Sequence, residues 1–211
     1  NWSPKIFEEM AQGGVHAVHV TIAYHETFRE TVLQIEAWNR WFERFPDRIM
    51  MGRTAADIDT AKATGRTAIF FGFQNPSPIE DDIGLIEICY TLGARFMQLS
   101  YNNQSFLATG CYEAEDPGIT RFGKQAIAEM NRVGIMIDLS HPSKKGNMET
   151  MALSRAPVMA SHSSARALND VSRNLDDEEL LALKENGGVV QTVAFRSYVN
   201  SEKHTAWQDA Q

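Results

Sequence analysis

Apolar, strand-like segments alternate with amphipathic, helix-like segments along most of the chain, and this alternation restricts the fold more than any other feature. The helix-like segments are 10 to 20 residues long, and the strand-like segments are apolar on both faces. Strands of this kind, separated by helices, form a parallel sheet that helices cover. The sequence therefore predicts an α/β fold, with strands at 14–24, 48–52, 66–75, 94–103, 135–141, 157–163 and 189–195.

Helix signals fill the intervals between these strands. Thr54 can cap one helix at its start, and Gly93 and Gly134 can each end one. The predicted helices cover residues 26–46, 54–65, 77–93, 119–134, 144–156 and 175–188.

Two α/β architectures fit this order of elements, the open doubly wound sheet and the closed eight-stranded barrel. The segment GFQNPSP at 72–78 contains neither glycine-rich phosphate motif that the doubly wound fold would favour. Polar residues instead follow several strands, as in a barrel that carries its chemistry at the carboxyl ends of its strands. These residues are Gln74, Asn75, Tyr101 to Asn103, His141 and His162. We therefore expect a TIM-type (β/α)₈ barrel, and because no linker interrupts the pattern, one domain over residues 1–211.

Charge and composition narrow the range of partners. The net charge of −7 among 211 residues argues against nucleic-acid binding, which needs clustered positive charge. No apolar run approaches the ~18 residues of a membrane span. Cys89 and Cys111 are the only cysteines and form no CxxC motif, which predicts two free thiols in a reducing compartment. We therefore expect a cytoplasmic protein whose partners are small molecules or proteins.

Two consecutive strands each lead into the dipeptide Ser-His, at His141 and His162. The carboxyl ends of neighbouring barrel strands meet at one mouth, so both rings could reach a single metal ion. Neutral imidazole is a common ligand of zinc-like metals, although a structural, hydrogen-bonded histidine is the alternative for each residue. His16 and His19 would point to opposite faces of their strand and are interpreted as structural. His25 with Glu26 is a weaker candidate at the end of the same strand.

The combination of EMNRVGIMIDLSH, SHSSARA and RNLDDE resembles the membrane (renal) dipeptidase family, which comprises metal-dependent hydrolases on a (β/α)₈ barrel. The similarity is dense over 65–195 and weaker over 13–64. It implies that His141 and His162 bind the second of two zinc ions and that Arg173 holds the substrate's carboxylate. The guanidinium fork suits a carboxylate, and the alternative for Arg173 is a surface ion pair with Asp176 or Asp177.

The chain departs from the family pattern at two positions of the expected site. Gln74 stands where the family has a metal-bridging glutamate, and a neutral amide offers one good acceptor oxygen and no charge. Tyr101 replaces the family's substrate-contacting histidine. We interpret Gln74 as a weak third metal ligand or a water-orienting group, Tyr101 as a catalytic and substrate-contacting residue, and Asn103 as a further substrate contact. Asp138 is expected on the opposite face of its strand, as a structural residue or as a partner of a histidine ring.

Against the family pattern, the chain supplies strands two to seven of eight, without the first strand's His-x-Asp or the eighth strand's aspartate. We therefore expect an incomplete barrel and a fragment of a longer protein. The predicted function is metal-dependent hydrolysis of the amide bond of dipeptides or related small carboxylate-bearing amides, with one or two zinc ions. Hydrolysis of another amide or lactam is a second hypothesis, and a catalytically impaired relative that binds a ligand or serves as a scaffold is a third. A homodimer is left open.

Overall fold

The computed structural model describes residues 2–209, and contacts between residues divide the chain into two compact units. The first unit comprises the residues up to Phe73 together with Ser77–Phe96. The second comprises Gln74–Pro76 together with the residues from Met97 onward. The assignment of residues 1–211 to one barrel domain stays a prediction.

Three parallel strands and four helices form most of the first unit. β3 pairs in parallel with both β1 and β2, and β4, which begins in this unit, is also a neighbour of β3. The elements are α1 (Pro4–Gln12), β1 (Ala17–Ala23), α2 (Phe28–Arg44), β2 (Ile49–Met51), α3 (Ala55–Ala63), β3 (Thr67–Phe73), a 3₁₀ turn (Ser77–Ile79), α4 (Gly84–Leu92) and β4 (Ala94–Gln98). The pattern did not predict α1.

The core of the first unit is built on β3, which is buried at every position from Thr67 to Phe73. The ring of Phe71 packs against Trp38 and Phe42 of α2, with ring centroids 6.0 Å and 6.1 Å apart. A strand buried on both faces has to be apolar throughout, which explains the uninterrupted run AIFFGF. The amphipathic pattern of α2 follows from the same packing.

The helix predicted over 77–93 is wrong in its first half. Residues Ser77–Ile79 form a 3₁₀ turn, and Glu80 adopts a left-handed backbone conformation with φ 51°. A residue in that region breaks the helical hydrogen-bond pattern. α4 starts afresh at Gly84, whose backbone N–H donates to Asp82 Oδ1 at 2.8 Å, and ends at Gly93 with φ 114° as predicted.

The second unit continues the alternation. Its strands follow the order β4-β5-β6-β7, and both β5–β6 and β6–β7 are parallel. Successive strands of this unit are therefore neighbours in chain order, as the predicted TIM-type barrel requires. The elements after β4 are α5 (Arg121–Val133), β5 (Met136–Asp138), α6 (Lys144–Leu153), β6 (Met159–Ser163), α7 (Asp177–Asn186), β7 (Val189–Thr192), α8 (Arg196–Val199) and α9 (Ser201–Asp209), of which the pattern missed the last two.

The long connection between β4 and α5, residues 99–120, belongs to the second unit and packs against residues that follow β5. Antiparallel bridges join Ala108 to Ile119 and Gly110 to Pro142. The backbone N–H of Cys111 also donates to the carbonyl oxygen of His141 at 2.9 Å. These contacts fix the segment beside the residues that follow β5.

Replacing Phe71 with alanine tests the core of the first unit. Removing a fully buried phenylalanine ring should lower the free energy of unfolding by about 3–5 kcal/mol, because it costs burial and leaves a cavity. Phe106→Ala is the matched control, since Phe106 is 70% exposed and its loss should cost no more than about 0.5 kcal/mol. Chemical denaturation followed by circular dichroism measures both. Equal losses would contradict the assignment of Phe71 to the core.

Candidate active site

The two histidines predicted to share a metal lie side by side in the second unit. His141 follows the end of β5, and His162 lies within β6. Their Nε2 atoms are 2.9 Å apart, and their ring centroids are 4.9 Å apart. His141 is buried and His162 is half-buried. The parallel pairing of β5 with β6 brings these two side chains together.

His141 is held from the side opposite to His162. Its Nδ1 atom lies 2.6 Å from Asn102 Oδ1, and the ring of Tyr101 packs against it with centroids 4.3 Å apart. Asn102 has a left-handed backbone with φ 63°, a region that asparagine tolerates better than most residues. An amide oxygen can only accept, so this contact places the ring proton of His141 on Nδ1 and a lone pair on Nε2. The sequence pattern named Asn103 and missed Asn102.

His162 is held through a serine. Its Nδ1 atom lies 2.7 Å from Ser161 Oγ, and that hydroxyl donates a short hydrogen bond to Asp138 Oδ2. The backbone N–H of His162 donates to Ser140 Oγ at 3.1 Å. Each histidine is preceded by a serine, Ser140 or Ser161, and both serines take part in the same hydrogen-bond network. The repeated Ser-His dipeptide was the sequence signal of this network.

Asp138 is the centre of this network and is almost fully buried. Its carboxylate accepts hydrogen bonds from Gln98 Nε2 at 2.8 Å, from the Ser140 backbone and hydroxyl at 3.0 and 2.6 Å, and from the Ser161 backbone at 3.0 Å in addition to the Ser161 hydroxyl. Burial raises the pKa of Asp138, but His162 and the hydrogen bonds from Ser140 and Ser161 outweigh burial, so the pKa is lowered. Of the two expectations for Asp138, the structure favours a partner of a histidine ring, because the network from Asp138 reaches the ring of His162 through Ser161.

The pair of rings suits a cation between them. Burial, followed by the positive charge of Arg173 and by His162, lowers the pKa of His141 to about 2, which keeps its ring neutral. Two nitrogens 2.9 Å apart can both lie at the zinc–nitrogen distance of about 2.0–2.1 Å from one ion. Within residues 2–209, however, no group of three or more histidine, cysteine or carboxylate side chains is arranged to hold a metal. The histidines fit as two ligands of an incomplete set.

The other predicted site residues lie in the same unit. Gln74 directly follows β3 and is half-buried, and Tyr101 is half-buried against His141. Asn103 is exposed, and its backbone N–H donates to the carbonyl oxygen of Tyr101 at 2.7 Å. In the first unit, the carboxylate of Glu26 accepts hydrogen bonds from the backbone of Tyr24 and His25.

Arg173 is 2% exposed, so the alternative of a surface ion pair with Asp176 or Asp177 is wrong. Its guanidinium donates to Ser163 Oγ and to the carbonyl oxygen of His162, both at 2.9 Å, and lies 5.1 Å from the ring centroid of Tyr198. Asp176 pairs instead with Lys144 at 2.6 Å. Among the residues that the structure describes, Arg173 Nε has no hydrogen-bond partner. Burial lowers the pKa of Arg173.

A sheet with parallel strand pairs, whose strands follow chain order from β3 to β7, with helices between the strands and polar side chains after the strand ends, defines an α/β fold of the TIM-barrel type. The chain belongs to the membrane dipeptidase family, peptidase family M19, whose model matches residues 3–211. Part of that assignment was already implied by the motifs around His141, His162 and Arg173.

Individual relatives agree with the family assignment. Dipeptidase verJ from Clonostachys rogersoniana is 33% identical over 188 residues, which cover 88% of this chain and 48% of the relative. An amidohydrolase from Pseudomonas aeruginosa is 40% identical with a TM-score of 0.91, covering 94% of this chain and 61% of the other. The probable dipeptidase PvdM from Pseudomonas aeruginosa is 27% identical with a TM-score of 0.86, and the match covers 92% of this chain and 54% of PvdM. The chain thus spans about half the length of the curated relatives it matches. No helix within the described range 2–209 has the length and apolarity needed to cross a membrane.

Both cysteines are free, as predicted; Cys89 is buried and Cys111 is half-buried. Burial raises the pKa of Cys111 to about 11 and that of Cys89 to about 12. At pH 8 the thiolate fraction of Cys111 should therefore be about one in a thousand, and only the thiolate reacts. We expect a thiol-specific chromogenic reagent to label neither residue in the folded protein within minutes at pH 8 and to label both after unfolding in guanidinium. Rapid labelling of the folded protein would contradict the burial of these thiols.

Proposed function

We propose that the complete protein hydrolyses the amide bond of dipeptides or related small carboxylate-bearing amides, with a divalent metal ion, preferably zinc, at His141 and His162. The observation that carries the proposal is the 2.9 Å approach of two Nε2 atoms in rings that are held at Nδ1 by other groups. Membership of the dipeptidase family supports the reaction class.

The two histidines would bind the ion as neutral imidazoles, each through Nε2. When bound, such an ion supplies Lewis-acid polarisation of the scissile carbonyl and acidifies water at neutral pH. Gln74 would serve as a weak third ligand or orient the attacking water through its amide oxygen. Since these three side chains carry no negative charge, we propose one occupied site, and a second would need carboxylates from elsewhere in the complete protein.

Arg173 would hold the substrate's carboxylate. It is a buried cation without a carboxylate partner among residues 2–209, and its Nε–H has no acceptor there. Leaving a buried charge unpaired is costly, so an anionic substrate group has a strong reason to enter. A guanidinium can bind a carboxylate through two parallel hydrogen bonds. The Tyr101 hydroxyl and the Asn103 side chain are proposed to contact the rest of the substrate.

A second candidate function is binding of a carboxylate ligand without catalysis, by an impaired relative that acts as a binding or scaffold protein. The observation that favours it is the pair of replacements Gln74 and Tyr101, which remove an anionic and an imidazole group from the site. Hydrolysis of a different amide or a lactam is the third possibility, because a fold and a metal do not determine the substrate. The single barrel domain, the cytoplasmic location and the homodimer stay predictions.

The metal ligands are tested by two substitutions in the complete protein. His162→Ala should abolish zinc binding at this site, because it removes one of the two facing nitrogens. Gln74→Glu should raise zinc affinity or stoichiometry, since a carboxylate adds a negative charge and a second strong oxygen donor. Bound zinc is measured by elemental analysis, affinity by competition with a chelator, and activity as the release of amino acids from a dipeptide.

His204→Ala is the matched control, because the ring of His204 stacks on Trp207 within α9 and is not one of the predicted ligands, so this change should leave zinc binding unchanged. If His162→Ala has no effect and Gln74→Glu changes neither affinity nor stoichiometry, residues 74, 141 and 162 do not form a metal site. The binding-protein hypothesis would then be preferred.

A further inference from the structure

We propose that Asp138, acting through the hydroxyl of Ser161, is a positioning residue that keeps the ring proton of His162 on Nδ1 and leaves the Nε2 lone pair directed at His141. The proposal rests on the proposed metal site, and it assigns roles to Asp138 and Ser161 that the motif comparison did not provide. Neither residue would touch the ion.

The direction of each hydrogen bond follows from counting protons. The Ser161 hydroxyl has one hydrogen and three close partners, Asp138 Oδ2, His162 Nδ1 and, at 3.3 Å, Ser140 Oγ. The Ser140 hydroxyl already donates its hydrogen to Asp138 Oδ1, so the first two partners decide the direction. An ionised carboxylate can only accept, so the hydroxyl hydrogen has to lie toward Asp138. Ser161 Oγ then accepts from His162 Nδ1, which must carry the ring proton. The opposite arrangement would place lone pairs of Ser161 Oγ and Asp138 Oδ2 against each other without a hydrogen between them.

Asp138 can hold this arrangement because the polar groups in contact with its carboxylate are all hydrogen-bond donors. Five hydrogen bonds from Gln98, Ser140 and Ser161 converge on its two oxygens in a buried position. The Ser140 hydroxyl also donates to Asp138 and accepts from the backbone N–H of His162, which fixes the backbone of the same residue. The side chain and the backbone of His162 are therefore both oriented by one carboxylate.

A histidine can bind a metal only through a nitrogen that carries no proton. If the proton of His162 moved to Nε2, that N–H would point at His141 Nε2, 2.9 Å away, and a hydrogen bond between the rings would occupy the position of the ion. The relay from Asp138 prevents this alternative. Partners of this kind behind metal-binding histidines typically change metal affinity by about 10–100-fold when they are removed.

Asp138→Asn tests the proposal directly, because it can reverse the donor and acceptor roles in the network while keeping a side chain of the same size in place. An amide nitrogen facing Ser161 would donate to Oγ, so the hydroxyl hydrogen would turn to His162 Nδ1 and the ring proton would move to Nε2. Gln98 can follow by rotating its amide, because its Oε1 is buried without a hydrogen-bond partner in the described part of the chain. Ser161→Ala tests the relay separately and keeps the Asp138 carboxylate.

The experiment uses the full-length protein with ¹⁵N-labelled histidine. In the metal-free protein, the protonated nitrogen of His162 is read from ¹⁵N–¹H spectra, with His162→Ala used for assignment. We expect a protonated Nδ1 in the wild type, where Nε2 can in addition share a proton with His141 until zinc replaces it. We expect Nε2–H with an unprotonated Nδ1 in Asp138→Asn, and a mixture in Ser161→Ala. Zinc affinity, measured by chelator competition, should fall about 10–100-fold in both variants. Ser161→Thr should restore the tautomer and the affinity, because it keeps the hydroxyl.

Ser164→Ala is the matched control, since Ser164 follows β6 and its hydroxyl donates to the Val193 carbonyl oxygen. It should change neither measurement. The proposal is overturned if His162 keeps the proton on Nδ1 and zinc affinity stays unchanged in Ser161→Ala and Asp138→Asn, or if Nδ1 of His162 carries no proton in the wild type. Should Asp138→Asn fail to fold, Ser161→Ala decides alone. Failure of the metal site itself is a separate result, because zinc binding would then be the same in wild type and His162→Ala.

Discussion

The approach of two imidazole Nε2 atoms to 2.9 Å is the contact on which the account of the site depends. Two unprotonated nitrogens at this distance repel each other unless a proton or a metal ion lies between them. On the far side of each ring stands a polar group, Asn102 for His141 and Ser161 for His162. The surrounding structure, including the left-handed Asn102 and the buried Asp138, keeps the rings in this arrangement.

Two buried charged groups, Asp138 and Arg173, lie beside the histidine pair. Asp138 ends β5, where the parallel neighbour β6 brings Ser161 within reach, and five hydrogen bonds offset the burial of its charge. Arg173 lies close by as a buried cation, tied to the His162 carbonyl oxygen, and no carboxylate within residues 2–209 pairs with it. A buried guanidinium that has no carboxylate bound to it favours the entry of an anionic group, and this is the role that the proposed function gives to Arg173.

Much of the fold could be predicted from the sequence because its signals are local. β3 reads as an uninterrupted apolar run since both of its faces are buried, and Gly93 and Gly134 end their helices with positive φ. The histidine pair could be predicted because neighbouring parallel strands end at the same edge. Asn102 could not, since it lies in a long connection whose path depends on contacts with residues outside it, such as His141 and Pro142. For Asp138 the sequence left a structural role and a histidine partner open, because the alternation of strand faces does not show that Ser161 connects Asp138 to His162.

X-ray absorption at the zinc edge of the zinc-loaded, full-length protein tests the central claim most directly. The account predicts two imidazole nitrogens at about 2.0–2.1 Å from the ion, with one of them lost in His162→Ala. A first coordination shell without imidazole, or one that is identical in wild type and His162→Ala, would contradict it.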